Sequence, residues 1–336
     1  MITEKNKNKE QIAGLFSTCR LGDITEMIPV TGGHMHEMYR VSTPSAVYAV
    51  KCLNPLVMCR PEARDNMAAS EKIVRLFQKY LPVCPAKEIN GDCLLTYEGG
   101  YYMIFDWIDG APVYPPKIGK KHCAEIGTAL GKMHSLQLSV PGLSGEPEPT
   151  PLFAWEHFLH TAAAQKPVWL ETYSAMTERL LLWNKAIRRA EPALAAEAIL
   201  SHRDLDPKNV LWHKDQYVLV DWESAGYVNP YQELLEVLLA WSDDGTGRPE
   251  QDKFSTMLRA YARFSYPDEA DWDTVLLCGR KNMLAWLEYN LKRALGLECA
   301  SEKERLLGDS QVCETLSLLE QYDKMSGILK KWLNRF

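Results

Sequence analysis

From Ser201 to Ser224 the chain reads SHRDLDPKNVLWHKDQYVLVDWES. A histidine, two aspartates, a lysine and an asparagine fall within residues 201–209, and a further aspartate, Asp221, closes the apolar run YVLV. Transfer of a γ-phosphoryl group needs a carboxylate that orients the attacking hydroxyl and takes its proton. It also needs hard oxygen ligands for Mg²⁺, such as carboxylate, amide oxygen and water. An aspartate five residues before an asparagine, ahead of two short strands that deliver a second aspartate, meets both demands. The bland alternative is a polar turn followed by a hairpin. Each fragment is common alone, but the ordered set, held between the apolar stretches AIL and NVLW, is specific to this chemistry.

The same order of groups is the one protein kinases use. On that pattern Asp204 is the base, and Asn209 and Asp221 are the metal ligands. His202 is expected to hold the loop by hydrogen bonds, and His34, His36, His122, His134 and His213 to be surface or packing groups. Upstream, Lys51 in YAVKCL ends an alternating strand and would aim its ammonium at nucleotide phosphates, with Glu71 of the following helix as the carboxylate that holds it. Glu62 is a poorer partner, since it precedes the periodic part of that helix. Gly32 and Gly33 in VTGGHMHEMYRV would let backbone N–H groups approach phosphate oxygens without Cβ interference. In MIFDWIDGAP the main chain at Asp106 and Ile108, flanking Trp107, would meet an adenine edge. No G-x-x-x-x-G-K-[ST] sequence occurs, which removes the other common nucleotide-binding design.

These groups need a scaffold. TEMIPV, EMYRVST and SAVYAVKCL read as short strands broken by TGG and TPS. ARDNMAASEKIVRLFQKY reads as a helix, with Ile73, Leu76, Phe77 and Tyr80 at helical spacing and Pro82 marking its end. DCLLTYEGGYYMIFDWI reads as a hairpin turning at Gly99 and Gly100. Beyond the Pro-rich connector APVYPPK the patterns are mostly helical, except for NVLW and YVLVDW, two short strands joined by HKDQ. SVPGLSGEPEPTP is the expected long loop. The sequence therefore predicts an α+β, bilobal chain: residues 1–105 as a small antiparallel-sheet lobe with one helix that binds nucleotide, 106–110 as a hinge, and 111–336 as a larger, mainly helical lobe for catalysis and substrate. A cleft between such lobes is a favoured ligand site.

At 336 residues and 46% apolar content, the chain is long enough for two well-buried lobes. A net charge of −6 argues against a broad nucleic-acid surface and suits a cationic or neutral substrate. The nine cysteines form no CxxC pair or Cys/His ligand cluster, so free thiols in a reducing cytoplasm are expected. The N-terminal stretch MITEKNKNKEQIAGLF has no apolar run of signal-peptide length, and no segment approaches the roughly 20 apolar residues of a membrane span. The expectation is a cytoplasmic protein.

Taken together, YAVK, SHRDLDPKNVLW and VLVDWESAGYVNP resemble the aminoglycoside phosphotransferase and choline kinase-like family, which has the protein kinase-like fold. The resemblance runs from Ile28 to Arg293 and is strongest from Leu200 to Pro230. DWE stands where protein kinases carry Asp-Phe-Gly, and no Ala-Pro-Glu segment follows, so the small-molecule branch is the better match. Relatives often have His-Gly-Asp in place of His202-Arg203-Asp204, and an Asp-Leu pair in place of Glu233-Leu234. Glu233 keeps a carboxylate that would brace the loop. The resemblance implies transfer of phosphate from ATP (or GTP), with Mg²⁺, to a hydroxyl of an aminoglycoside, choline-like amine, amino-alcohol or sugar. Acceptor contacts are expected from Asp243 and Asp244 in WSDDGTG, and from Trp286, Glu288 and Tyr289 in LAWLEYNL, where carboxylates attract ammonium groups and aromatic faces hold a quaternary amine. The competing expectation is a kinase-like nucleotide-binding or spore-coat-type structural protein without turnover. Such a protein tends to lose the base or the metal ligands, all of which this chain keeps.

Overall fold

The structure is a computed structural model that describes residues 4–30, 36–143, 149–299 and 301–335. Packing groups the chain into two compact units that are not contiguous in sequence. The first comprises Met1–Lys117, Leu138–Leu143 and Leu200–Gly226; the second comprises Ile118–Gln137, Ser144–Ile199 and Tyr227–Phe336. The expected hinge at 106–110 lies within the first unit.

The first unit is built on a five-stranded sheet in the order β1-β2-β3-β5-β4, with every neighbouring pair antiparallel. Its strands are β1 (Glu26–Val30), β2 (Glu37–Ser42), β3 (Val47–Cys52), β4 (Leu95–Tyr97) and β5 (Gly100–Asp106). The hairpin between β4 and β5 turns on Glu98 and Gly99, at φ 46° and 77°. Gly100 opens β5 opposite Tyr97, so the expected Gly99–Gly100 turn sits one residue earlier. That is a two-residue turn with both central residues left-handed, the form that matches strand twist.

The period of two along β3 decides which face each side chain takes. Tyr48, Val50 and Cys52 join Tyr39, Val41, Tyr102 and Ile104 in a core that is closed by Ile12, Leu15 and Phe16. Those three belong to α1 (Glu4–Thr18), a helix the sequence reading did not anticipate. The opposite parity carries Lys51, whose register partner is Met103. Met103 packs with Leu53, Met58, Ala63, Met67 and Ala86, which brings in the short α2 (Pro55–Met58) and α3 (Ala63–Phe77). The sheet therefore carries three helices rather than the single one expected.

The segment that follows Asn209 supplies β7 (Val210–His213) and β8 (Gln216–Leu219), paired antiparallel with a turn at Lys214 and Asp215. Two segments fasten this hairpin to the rest of the unit. Ala111 and Trp212 exchange both backbone hydrogen bonds at 3.0 Å, and Leu219 donates to Pro82 while accepting from Cys84.

The second unit is helical: α4 (Lys120–Ser135), α5 (Trp155–Gln165), α6 (Leu170–Ala196), α7 (Pro230–Ser242), α8 (Gln251–Tyr261), α9 (Trp272–Cys278), α10 (Lys281–Ala294) and α11 (Glu302–Leu333). Strands β6 (Ile199–Ser201) and β9 (Gly226–Val228) are short. The helices α4 and α8 approach closely because Gly127 and Gly131 have no side chain there. A Cβ on Gly127 would lie 2.3 Å from the Met257 carbonyl oxygen, and one on Gly131 would lie 2.7 Å from that of Tyr261. Glu233 also belongs to this unit. It is buried on α7, where its carboxylate bonds His134 Nε2 at 2.9 Å while Tyr261 Oη bonds His134 Nδ1 at 2.9 Å. Among the described residues no helix is long and apolar enough to cross a membrane.

Candidate active site

The loop after β6 takes its shape from two side chains. His202 is fully buried; its Nε2 bonds the Val220 carbonyl at 3.1 Å and its Nδ1 accepts from the Asp204 amide at 3.3 Å. These bonds fix a neutral ring protonated at Nε2, and they pin the loop to the end of β8. Asn209 closes the other side. Its Nδ2 donates to the Asp204 carbonyl at 2.8 Å and to Asp204 Oδ2 at 2.9 Å, and its own carbonyl accepts from Val220 N at 3.0 Å. The amide nitrogen is thus spent on Asp204, while Asn209 Oδ1 and Asp204 Oδ1 have no hydrogen-bond partner among the described residues. Those two oxygens are the atoms that a metal ion and a hydroxyl proton would need.

Between them Arg203 sits at φ 64°. This left-handed backbone costs a residue with a Cβ about 1 kcal/mol. The Arg203 guanidinium lies over Gly226, where a Cβ would meet Nη1 at 2.9 Å.

Asp221 also has a left-handed backbone, at φ 61°. The turn is anchored by Trp222, which is buried against the ring of Phe77 at 5.5 Å and that of His202 at 4.5 Å. With the indole fixed, the carboxylates on either side turn towards Lys51. Lys51 Nζ lies 2.9 Å from Asp221 Oδ1 and forms a closer ion pair with Glu223 Oε1. Glu223 Oε2 in turn bonds His36 Nε2 at 3.2 Å, and His36 Nδ1 accepts from Asn54 N at 2.9 Å. Burial alone would push the lysine's pKa down; Asp221 and Glu223 outweigh it and hold it above the ordinary lysine value. For Glu223, burial would raise the carboxyl, but His36 and Lys51 reverse this and hold it at about 2.

The expected Lys51–Glu71 pair is not the one that forms. Glu71 is buried on α3, its Oε2 accepting from Ala86 N at 2.9 Å with Arg75 at 3.7 Å. Burial pushes its carboxyl above the ordinary value, against the pull of the Ala86 bond and Arg75. Lys51, Glu71, Asp221 and Glu223 nevertheless line one small pocket with Met103 and Phe105. Glu223 and His36 are the members of this cluster that the sequence reading passed over. The carboxylate two residues after Asp221 was a usable signal, whereas His36 had none apart from the tertiary fold.

Asp106 ends β5 with its carboxylate 2.7 Å from Lys87 Nζ. The next residue, Trp107, is tied back to Val47 by its amide, and Ile108 follows with its own N–H and C=O without a hydrogen bond among the described residues. Gly32 and Gly33 lie outside the described residues. The proposed acceptor residues all belong to the second unit. Asp243 Oδ1 accepts from the amides of Gly245 and Gly247, and Asp244 Oδ1 accepts from the amide and hydroxyl of Thr246, so both carboxylates cap their own loop. Trp286 and Tyr289 stack at 5.4 Å on α10 and are each 46% exposed, while Glu288 pairs with Lys292 at 2.9 Å. Trp241, by contrast, is core.

Fold and site together define a kinase-like α+β protein, and comparison with solved structures bears this out. Spectinomycin phosphotransferase in complex with ADP and spectinomycin superposes with a TM-score of 0.67 at 13% identity, covering 94% of this chain and 98% of that one. Choline kinase from Cryptosporidium parvum Iowa II gives 0.59 at 14% identity, covering 97% and 99%. The chain belongs to the phosphotransferase enzyme family: the family's sequence model matches residues 26–272. In sequence it is 28% identical over 203 residues to a homoserine kinase of Afipia carboxidovorans, a match that covers 56% of this chain. The chain spans only 57% of that relative's length.

Proposed function

We propose that the chain is a small-molecule kinase that moves the γ-phosphoryl group of ATP to a hydroxyl of its acceptor. The observation that carries this reading is the junction of loop and strand end. One asparagine holds the base by its amide nitrogen and keeps its oxygen open, while Asp221 is held next door by the only buried lysine of the sheet among the described residues. Asp204 Oδ1 accepts the hydroxyl proton as that oxygen bonds to the γ-phosphorus and the bond to the β-phosphate breaks. Asn209 Oδ1 and Asp221 Oδ2 would hold Mg²⁺, whose preference for few protein oxygens plus water and phosphate suits a two-ligand set. Bound there, the ion would neutralise phosphate charge. Lys51 tethers the phosphates, with Glu223 and His36 fixing its ammonium and Glu71 closing the same pocket. The free main chain at Ile108, with Asp106 beside it, serves the adenine edge.

On this reading residues 1–105 and the hinge at 106–110 hold the nucleotide, and 111–336 supply catalysis and acceptor recognition in the cytoplasm. The stacked and exposed Trp286–Tyr289 pair supports a cationic or ring-bearing acceptor, and Asp243 and Asp244, each bonded to its own loop through Oδ1, keep Oδ2 for an ammonium group. A coupled ADP-release assay over aminoglycosides, choline, homoserine and methylthioribose, run with ATP and then GTP, tests the function. One acceptor class should stimulate ADP release at least a hundredfold. Nucleotide binding without acceptor-stimulated release would favour a binding protein instead.

A further inference from the structure

Lys208 occupies the position just before Asn209, and its ammonium reaches back across the loop. Nζ lies 3.1 Å from Asp204 Oδ2 and 3.8 Å from Asp206 Oδ2. Asp221 also acts on it electrostatically. The backbone beneath is rigid, because Pro207 and Asn209 on either side are buried in a 3-10 turn, whereas the lysine side chain is half exposed. A helix-like (i, i+4) pair on a surface would be unremarkable. This one is directed at the carboxylate that serves as base, and it meets the same oxygen that Asn209 already holds. It therefore leaves Oδ1 for the hydroxyl and brings a positive charge to within one atom of it.

We infer that Lys208 is a catalytic residue of this chain, donating a hydrogen bond to the phosphoryl group as it moves from ATP to the acceptor. The inference rests on the proposed phosphotransferase reading. An ammonium carries three donors; one is within reach of Asp204 Oδ2 at 3.1 Å, Asp206 lies beyond hydrogen-bond distance at 3.8 Å, and donors remain for a phosphoryl oxygen. In the reaction the acceptor oxygen bonds to the γ-phosphorus, its proton passes to Asp204 Oδ1, and the oxygen of the β-phosphate leaves with the electron pair as ADP. Lys208 stays protonated throughout. Its charge is of most use midway, when negative charge is spread over the three equatorial oxygens.

The test uses the full chain with the acceptor found by the ADP-release panel. Lys208→Met should lower kcat at least tenfold with KM for ATP within about twofold. Lys208→Arg should restore most of the lost turnover, since it keeps charge and donors. A purely structural ion pair would change the melting temperature and leave kcat alone. Wild-type kcat in Lys208→Met, a loss confined to KM for the acceptor, or no rescue by arginine would each overturn the assignment. If Lys208→Met is poorly folded by circular dichroism, Lys208→Gln takes its place under the same criteria. A wild-type chain that binds ATP and turns over no acceptor would instead remove the phosphotransferase reading, and this one with it.

Discussion

At the scale of single residues, the catalytic loop carries two distinct pressures. Asp204, Asn209 and Asp221 must present open oxygens, and the backbone that presents them is twisted at Arg203 and Asp221 into the left-handed region. Arg203 needs that conformation without contributing an oxygen. Arg203→Val, whose branched Cβ resists positive φ, should therefore lower stability by about 1 kcal/mol in urea titration. Glu223 presents the opposite case, a side chain whose value lies in its partners. Glu223→Ala leaves Lys51 with Asp221 alone and should raise KM for ATP about tenfold with a smaller change in kcat, a 1.4 kcal/mol effect in steady-state kinetics. The contact between Asp204 and Asn209 was legible because it depends on spacing within one short loop. The partner of Lys51 was not. A lysine on β3 can reach whichever carboxylate the tertiary fold brings closest, and α3 turned Glu71 towards Ala86 instead.

Elements were read well where hydrophobic period and turn residues agreed. The strands β1, β2, β3 and β5 and the helix α3 lie where alternation or helical spacing placed them, and the mostly helical stretch expected beyond the connector holds α4 to α11. The helix α1 escaped because its first half is a run of Lys, Asn and Glu, and only Ile12, Leu15 and Phe16 reveal a buried stripe. The close approach of α4 and α8 was equally hidden, since Gly127 and Gly131 read as weak points in a helix, yet the neighbouring backbone requires them. Gly127→Ala improves local helix propensity but sets a methyl group against the Met257 carbonyl, so it should destabilise by about 1–3 kcal/mol in thermal or urea unfolding. A pH-dependent joint ties Thr150 to α6. Glu191 accepts from Thr150 N at 2.7 Å and from its hydroxyl at 2.6 Å, and pairs with Lys281. Burial alone would raise its carboxyl pKa; Lys281 and Thr150 reverse that and hold it below the ordinary value. A depressed carboxylate stabilises the fold above its unfolded pKa and loses that contribution as pH falls through the folded one. Glu191→Gln should cost about 1–3 kcal/mol at pH 7, and the gap between variant and wild type should close below about pH 4 in urea titrations.

For the molecule as a whole, the packing units cut across chain order. The catalytic hairpin of β7 and β8 belongs with the sheet, fastened by Ala111 on one side and Pro82–Cys84 on the other. No local pattern in residues 200–226 announces this, because the bonds that bring it about are main-chain bonds between segments a hundred residues apart. Lys51, Asp204, Asn209 and Asp221 accordingly fall within one packing unit. The claim at the centre of this account is that Asp204 takes the acceptor's proton while the other groups hold the nucleotide. The direct measurement is Asp204→Ala, with ATP affinity and acceptor-dependent ADP release determined on the same folded sample. ATP affinity within about threefold of wild type, with kcat lower by at least a hundredfold, is the predicted result. Turnover at the wild-type rate would contradict the account.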